Sequence, residues 1–115
     1  MRFVLLMAHD DTFHGDPDLV SAIHAWIAEQ TAVGVRVMGV PLTPPAEATT
    51  ISGGSDQAVW VEGPFTSGPL HTAALEIIEC ADLQAARAIA QSHPMAARAT
   101  IEVRPVWDAL EQPPG

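Results

Sequence analysis

Two helix starts constrain this chain more than any other feature, because each falls between apolar runs too short and continuous to be anything but strands. In "GDPD", Asp16 offers a side-chain acceptor at the N-cap, and Pro17 takes the first helical position, where its missing N–H is not needed. Asp18 adds negative charge to the first turn. Leu19, Val20, Ile23, Trp26 and Ile27, with Val33 at the far end, recur at helical spacing and predict an inward stripe; Gly34 supplies a left-handed stop. The helix should run about 17 residues, roughly 25 Å. The second start is Asp82, followed by "LQAARAIAQSH", with Leu83, Ala86, Ile89 and Ala90 inward and Pro94 just beyond.

Around these helices lie the strands. Phe3 to Met7 is continuously apolar, as expected of a central strand covered on both faces. Val35 to Leu42 is the next, stopped by Thr43-Pro44-Pro45. "ATTIS" and "QAVWVE" predict a hairpin about Gly53-Gly54-Ser55-Asp56, and "TAALEIIE" alternates as a half-buried strand. Thr100 to Trp107 is the last, and Pro105 within it must turn its N–H side to a sheet edge or the strand's end. The order β-α-β-hairpin-β-α-β predicts an α+β, ferredoxin-like fold: an antiparallel sheet with two helices on one face. The second face then needs cover. Trp60, Phe65 and Trp107 are candidates, and a second copy hides it most simply, so a homodimer is expected. Residues 1–108 form one domain, and 109–115 an acidic tail expected to fray.

Composition narrows the partners. Apolar residues make up 48% of the chain and charged ones only 17%, so a packed globule is expected; the net charge is −9. The basic residues are Arg2, Arg36, Arg87, Arg98 and Arg104; they form no cluster, which argues against nucleic acid and against an anionic membrane surface. No apolar run approaches the roughly 20 residues of a membrane helix, and the first apolar run is too short for a secretion signal. A lone cysteine, Cys80, excludes an intrachain disulfide, suits a cytoplasmic location and is expected as a small core residue. The segment "HDDTFHGDPD" holds six N and O donors, but its spacing matches neither a calcium loop nor a helical zinc pair, so a solvated loop and no metal are expected. No motif for a cofactor is present.

The quartet Glu62-Gly63-Pro64-Phe65, followed by Ile101 to Val106 ("IEVRPV"), resembles the YCII-related proteins, specifically the branch marked by an Asp-Gly-Pro-Phe loop. The opening "MRFVLLM", the "GV" after the first helix and the "HP" after the second fall in the order of that family. The resemblance implies a ferredoxin-like dimer resembling an α/β barrel, with clefts near the subunit contact. One relative is a dehydrochlorinase acting on a chlorinated hydroquinone, and a His–Asp dyad is the proposed catalytic pair. His24 matches the dyad histidine; the dyad aspartate falls on His93, before Pro94. A His–His pair still shuttles protons but lacks the carboxylate that fixes a tautomer. The lysine-bearing segment after the family loop is replaced by "TSGPLH", which leaves Arg104 or loop N–H groups to meet an anionic ligand.

Each candidate has a plainer role beside its functional one. His24 is a partly buried, hydrogen-bonded helix residue or an acid-base group. His93 is a cation complementing the helix C-terminus or the partner of His24. Ligand contacts are assigned to Glu62, Phe65, His71 and Arg104. Against those stand a turn acceptor for Glu62, a core or interface plug for Phe65, an exposed loop histidine for His71 and a strand ion pair for Arg104. The function expected is a small dimeric ligand-binding or regulatory domain without turnover. The alternative is a cofactor-free acid-base enzyme, a lyase or isomerase on a small polar or aromatic compound, with monooxygenase-like oxygen chemistry as a minor third.

Overall fold

The computed structural model describes residues 1–108; the expectation for the tail, 109–115, lies outside the described residues. The order is β1 (Arg2–His9), α1 (Pro17–Ala32), β2 (Arg36–Pro41), β3 (Thr49–Ser52), β4 (Val59–Glu62), β5 (His71–Glu79), α2 (Leu83–Ser92) and β6 (Thr100–Pro105). Short 3-10 turns cover Pro45–Glu47 and Pro94–Ala97. The fold is α+β, with a four-stranded antiparallel sheet ordered β2-β5-β1-β6 and a separate two-stranded sheet, β3-β4. Strand β5 lies between β2 and β1, and β1 between β5 and β6, so the two β-α-β segments interleave.

Both helix starts form as the sequence requires. Asp16 Oδ1 accepts from the Leu19 N–H at 2.8 Å, and Asp82 Oδ1 from the Ala85 N–H at 2.9 Å. Gly34 ends the first helix at φ +77°, which side chains disfavour. Pro105 sits on the edge strand β6, and Pro41 ends the opposite edge.

Strand alternation sorts the sheet into two faces. Phe3, Leu5 and Met7 of β1 stand beside Ile78, Glu76 and Ala74 of β5 and Pro105, Val103 and Ile101 of β6. Both helices cover this face: Trp26 of α1 and Ala86 and Ala90 of α2 join Phe3, Leu5 and Ile78 in one core. Leu19, Met7 and Met95 form a second cluster, and Cys80 packs partly buried against the first.

The other face holds Val4, Leu6, Leu75 and Ile77, all half-buried, with Met38 and Val40 exposed on β2. Strand β1 is therefore covered by helices on one side only, as the expectation of two helices on one face requires; its continuous apolar run serves two apolar faces. Trp60, Phe65 and Trp107 are exposed. Three residues expected inward are also exposed: Val20, Val33 and Leu83. Val33 is where α1 unwinds, Leu83 is the first residue of α2, and Val20 lies where α1 parts from β2.

Because one carboxylate caps α2, Asp82→Ala should lower the unfolding free energy by about 1 kcal/mol. Urea denaturation checks this; an unchanged midpoint would show the cap contributes nothing.

Candidate functional site

Helix α1 is fastened at one side. The Trp26 indole N–H donates to Ser92 Oγ at 3.0 Å, and Ser92 in turn donates to the Ile89 carbonyl at 2.6 Å. The Trp26 ring lies 4.5 Å from the His93 ring, tilted by 58°. Near its start, Asp16 meets Arg98 at 2.8 Å, and the Leu19 N–H together with that guanidinium holds its carboxyl below the usual carboxylate range. These contacts tie α1 to the end of α2 and the turn beyond it, on the β6 side.

Toward β2 the helix and sheet stand apart and leave a cleft of about 470 Å³. Its helical wall is Leu19, Val20, Ile23, His24 and Ile27, one face of α1; Arg36, Gly39 and Pro41 of β2 and Ala74 and Glu76 of β5 form the opposite wall. His93 lines it as well. The volume lies within the range of small-molecule sites, which pair apolar walls with a few polar groups.

Two polar features in the cleft are built rather than incidental. The first is His93, buried, with Nδ1 accepting from the Met95 N–H at 3.0 Å as the cap of the turn Pro94–Ala97. That bond needs an unprotonated Nδ1, so the neutral ring carries its proton on Nε2. Burial pushes His93 down from 6.5 to about 4, so it is uncharged at neutral pH. The expected cation at the helix C-terminus is therefore corrected to a neutral, enclosed cap.

The second is an ion pair across the inward sheet face. Arg36 Nε donates to Glu76 Oε2 at 2.7 Å, with 19% and 7% of the two side chains accessible. It crosses β2 at Gly39, where a Cβ would overlap both the Glu76 carboxylate and the Arg36 guanidinium. Glycine is required there by close approach, not by backbone angle.

His24 lines the same cleft as His93 but is exposed, and no hydrogen bond among the described residues joins the two. The remaining candidates lie elsewhere. Glu62 ends β4 and is exposed; Phe65 is 85% exposed, so it plugs no core of its own chain. Arg104 stands opposite Val4 on the far sheet face, 3.6 Å from Glu102 with both exposed.

His71 is the half-buried first residue of β5, not an exposed loop histidine. It faces His9 across the strands, and its Nδ1 is enclosed without a partner among the described residues. The two histidines line a smaller cavity of about 190 Å³ with Asp11, Leu42 and Pro44. Three of the "HDDTFHGDPD" donors have local partners. Asp10 accepts from the Thr12 hydroxyl and N–H, which lower its pKa; His9 stacks on Phe13 at 4.2 Å, and Asp16 is the helix cap. Among the described residues no three such donors gather as a metal set.

A model of the YCII-related domain family matches residues 1–110. The chain belongs to that family. No curated protein matches it. In this YCII-related domain His24 and His93 are legible from the sequence, whereas Arg36, Gly39 and Glu76 become cleft residues only in the fold. A signal was present for Glu76. In "TAALEIIE" it occupies the same alternation as Ala74 and Ile78, so a charge had to enter the helix-covered face and find a partner there.

The His93 shift gives a pH dependence with a definite sign. Its folded pKa lies below the unfolded value, so the unfolded chain takes up the proton more readily. Stability is full above about pH 6.5 and falls as pH drops toward about 4, by on the order of 3 kcal/mol in all. His93→Asn keeps an acceptor for the Met95 N–H and should flatten that window. Denaturation midpoints across it provide the check, and parallel curves for both proteins would contradict this account.

Proposed function

We propose that this YCII-related domain binds a small, mostly apolar molecule in the cleft between α1 and β2, without turnover. The observation that carries this reading is His93. Its Nδ1 is committed to the Met95 N–H and its ring is uncharged, so it offers the cleft a fixed Nε2–H donor rather than a base. A donor held in place orients a ligand's carbonyl or hydroxyl oxygen; proton abstraction needs a free acceptor nitrogen, which this tautomer lacks.

The alternative is the cofactor-free acid-base enzyme, favoured by His24 and His93 lining one cleft. His24, exposed on the helical wall, would then be the base and His93 a positioning donor. The motifs at Glu62–Phe65 and Ile101–Val106 support membership of the Asp-Gly-Pro-Phe branch, and the interleaved sheet supports a ferredoxin-like description. Among the described residues no helix is long and apolar enough to cross a membrane. The lone Cys80 supports a cytoplasmic location.

A homodimer belongs to the same reading. Val4, Leu6, Leu75, Ile77, Met38 and Val40 form an apolar sheet face that neither helix covers, and Val59, Trp60, Val61 and Phe65 are exposed on and beside the hairpin. A second copy covers both, and Arg104, on the same sheet face as Val4, would then lie at the subunit contact rather than at the cleft.

Small planar aromatic compounds should raise the melting temperature of the wild-type protein. At a hundred times Kd the gain is about 2.7 kcal/mol. Val20→Trp, on the exposed cleft wall, should abolish the shift without unfolding the chain, whereas His24→Ala should keep it. Consumption of a compound that stops in His24→Ala would replace this reading with the enzyme. Separately, the mass in solution at micromolar concentration should be that of a dimer; a monomer would contradict the proposed cover of the sheet.

A further inference from the structure

We propose that Glu76 makes this cleft select uncharged ligands over anions, by holding the one guanidinium that lines it; this rests on the ligand-binding reading above. Among the described residues lining the cleft, Arg36 and Glu76 are the only charged groups besides the histidines, and His93 is neutral. The two neutralise each other at 2.7 Å on the cleft's sheet wall. An incoming carboxylate that reached the outer N–H groups of Arg36 would stand beside the Glu76 carboxylate, like charge against like charge with little water between. It would also leave water for a chain whose net charge is −9.

The pair cannot yield by sinking into the sheet, because it already lies against β2 at Gly39, closely enough that a methyl group there would overlap it. A buried pair of this kind contributes little over apolar residues of similar volume, although loss of Glu76 alone would leave the Arg36 guanidinium enclosed without its counter-charge. What the pair does provide is a fixed donor beside a fixed acceptor, with the His93 Nε2–H lining the same space. The complementary ligand is a planar molecule with an uncharged edge that joins a carbonyl to an N–H, as a primary amide or lactam does. Its oxygen accepts from Arg36 or His93, and its N–H donates to Glu76. An acid of the same shape loses the donor and adds the repulsion.

Benzamide and benzoate have nearly the same shape and differ in that edge, so they are the probes. Binding is followed through the resonances of Val20, Ile23 and Ala74 at pH 8, above the range in which imidazoles carry charge. The wild-type protein should bind benzamide at least about tenfold more tightly than benzoate. Glu76→Gln keeps the side-chain shape and an oxygen for the Arg36 Nε–H but removes the negative charge, and should reverse the preference. Benzoate binding the wild type as well as benzamide overturns the proposal and leaves the ligand-binding reading standing; that comparison needs no variant to fold. A folded Glu76→Gln protein with an unchanged ratio overturns it as well, since the discrimination would then come from the whole surface. If neither compound moves the cleft resonances, both the proposal and the ligand-binding reading fail.

Discussion

The cleft exists because α1 is held at one side and not at the other. Trp26 is the fastening: its ring packs into the core with Phe3, Leu5 and Ala90, its N–H is held by Ser92, and its face meets His93. A large aromatic buried with its polar atom satisfied gives both contact area and a fixed orientation. The α2 side of the helix layer is thereby closed. Among the described residues no side-chain hydrogen bond or ion pair joins α1 to β2, where the opposing residues include Gly39, which has no side chain, and Arg36, whose side chain is turned to Glu76. Apolar residues of α1 expected in the core, Val20 and Ile23, consequently become cleft wall.

His93 serves both sides of this arrangement. As a cap it starts the turn Pro94–Ala97, which carries Met95 into the second core cluster; as a neutral ring it supports Trp26. In the family resemblance its position belongs to an aspartate of a catalytic dyad. An aspartate before a proline is also a good cap, and the Met95 N–H requires an acceptor whatever the chemistry nearby. The histidine meets that structural need with Nδ1 and presents a donor rather than a carboxylate to the cleft.

The helix caps, the succession of elements along the chain and the alternation of β5 were legible in the sequence because each rests on residues within one short segment. Asp16 and Asp82 need only the N–H groups three residues on, and Gly34 only its own backbone angle. Val20, Val33 and Leu83 show the limit of the same logic. Periodicity identifies an apolar face, but how far that face is covered depends on what stands opposite. His71 shows it again: one residue of strand extension, set by pairing with His9, turns an expected loop residue into a half-buried one.

The sequence alone determined the α+β order, the helix termini, the antiparallel strand set and the two histidines worth following, since local propensity and alternation act along the chain. The tertiary structure alone decided that those histidines share a cleft and that one of them is neutral and committed. It also decided that Arg36 and Glu76, forty residues apart, cancel each other across Gly39. Burial and pairing are properties of what the sheet brings side by side, and strand register rather than sequence spacing places Glu76 next to β2.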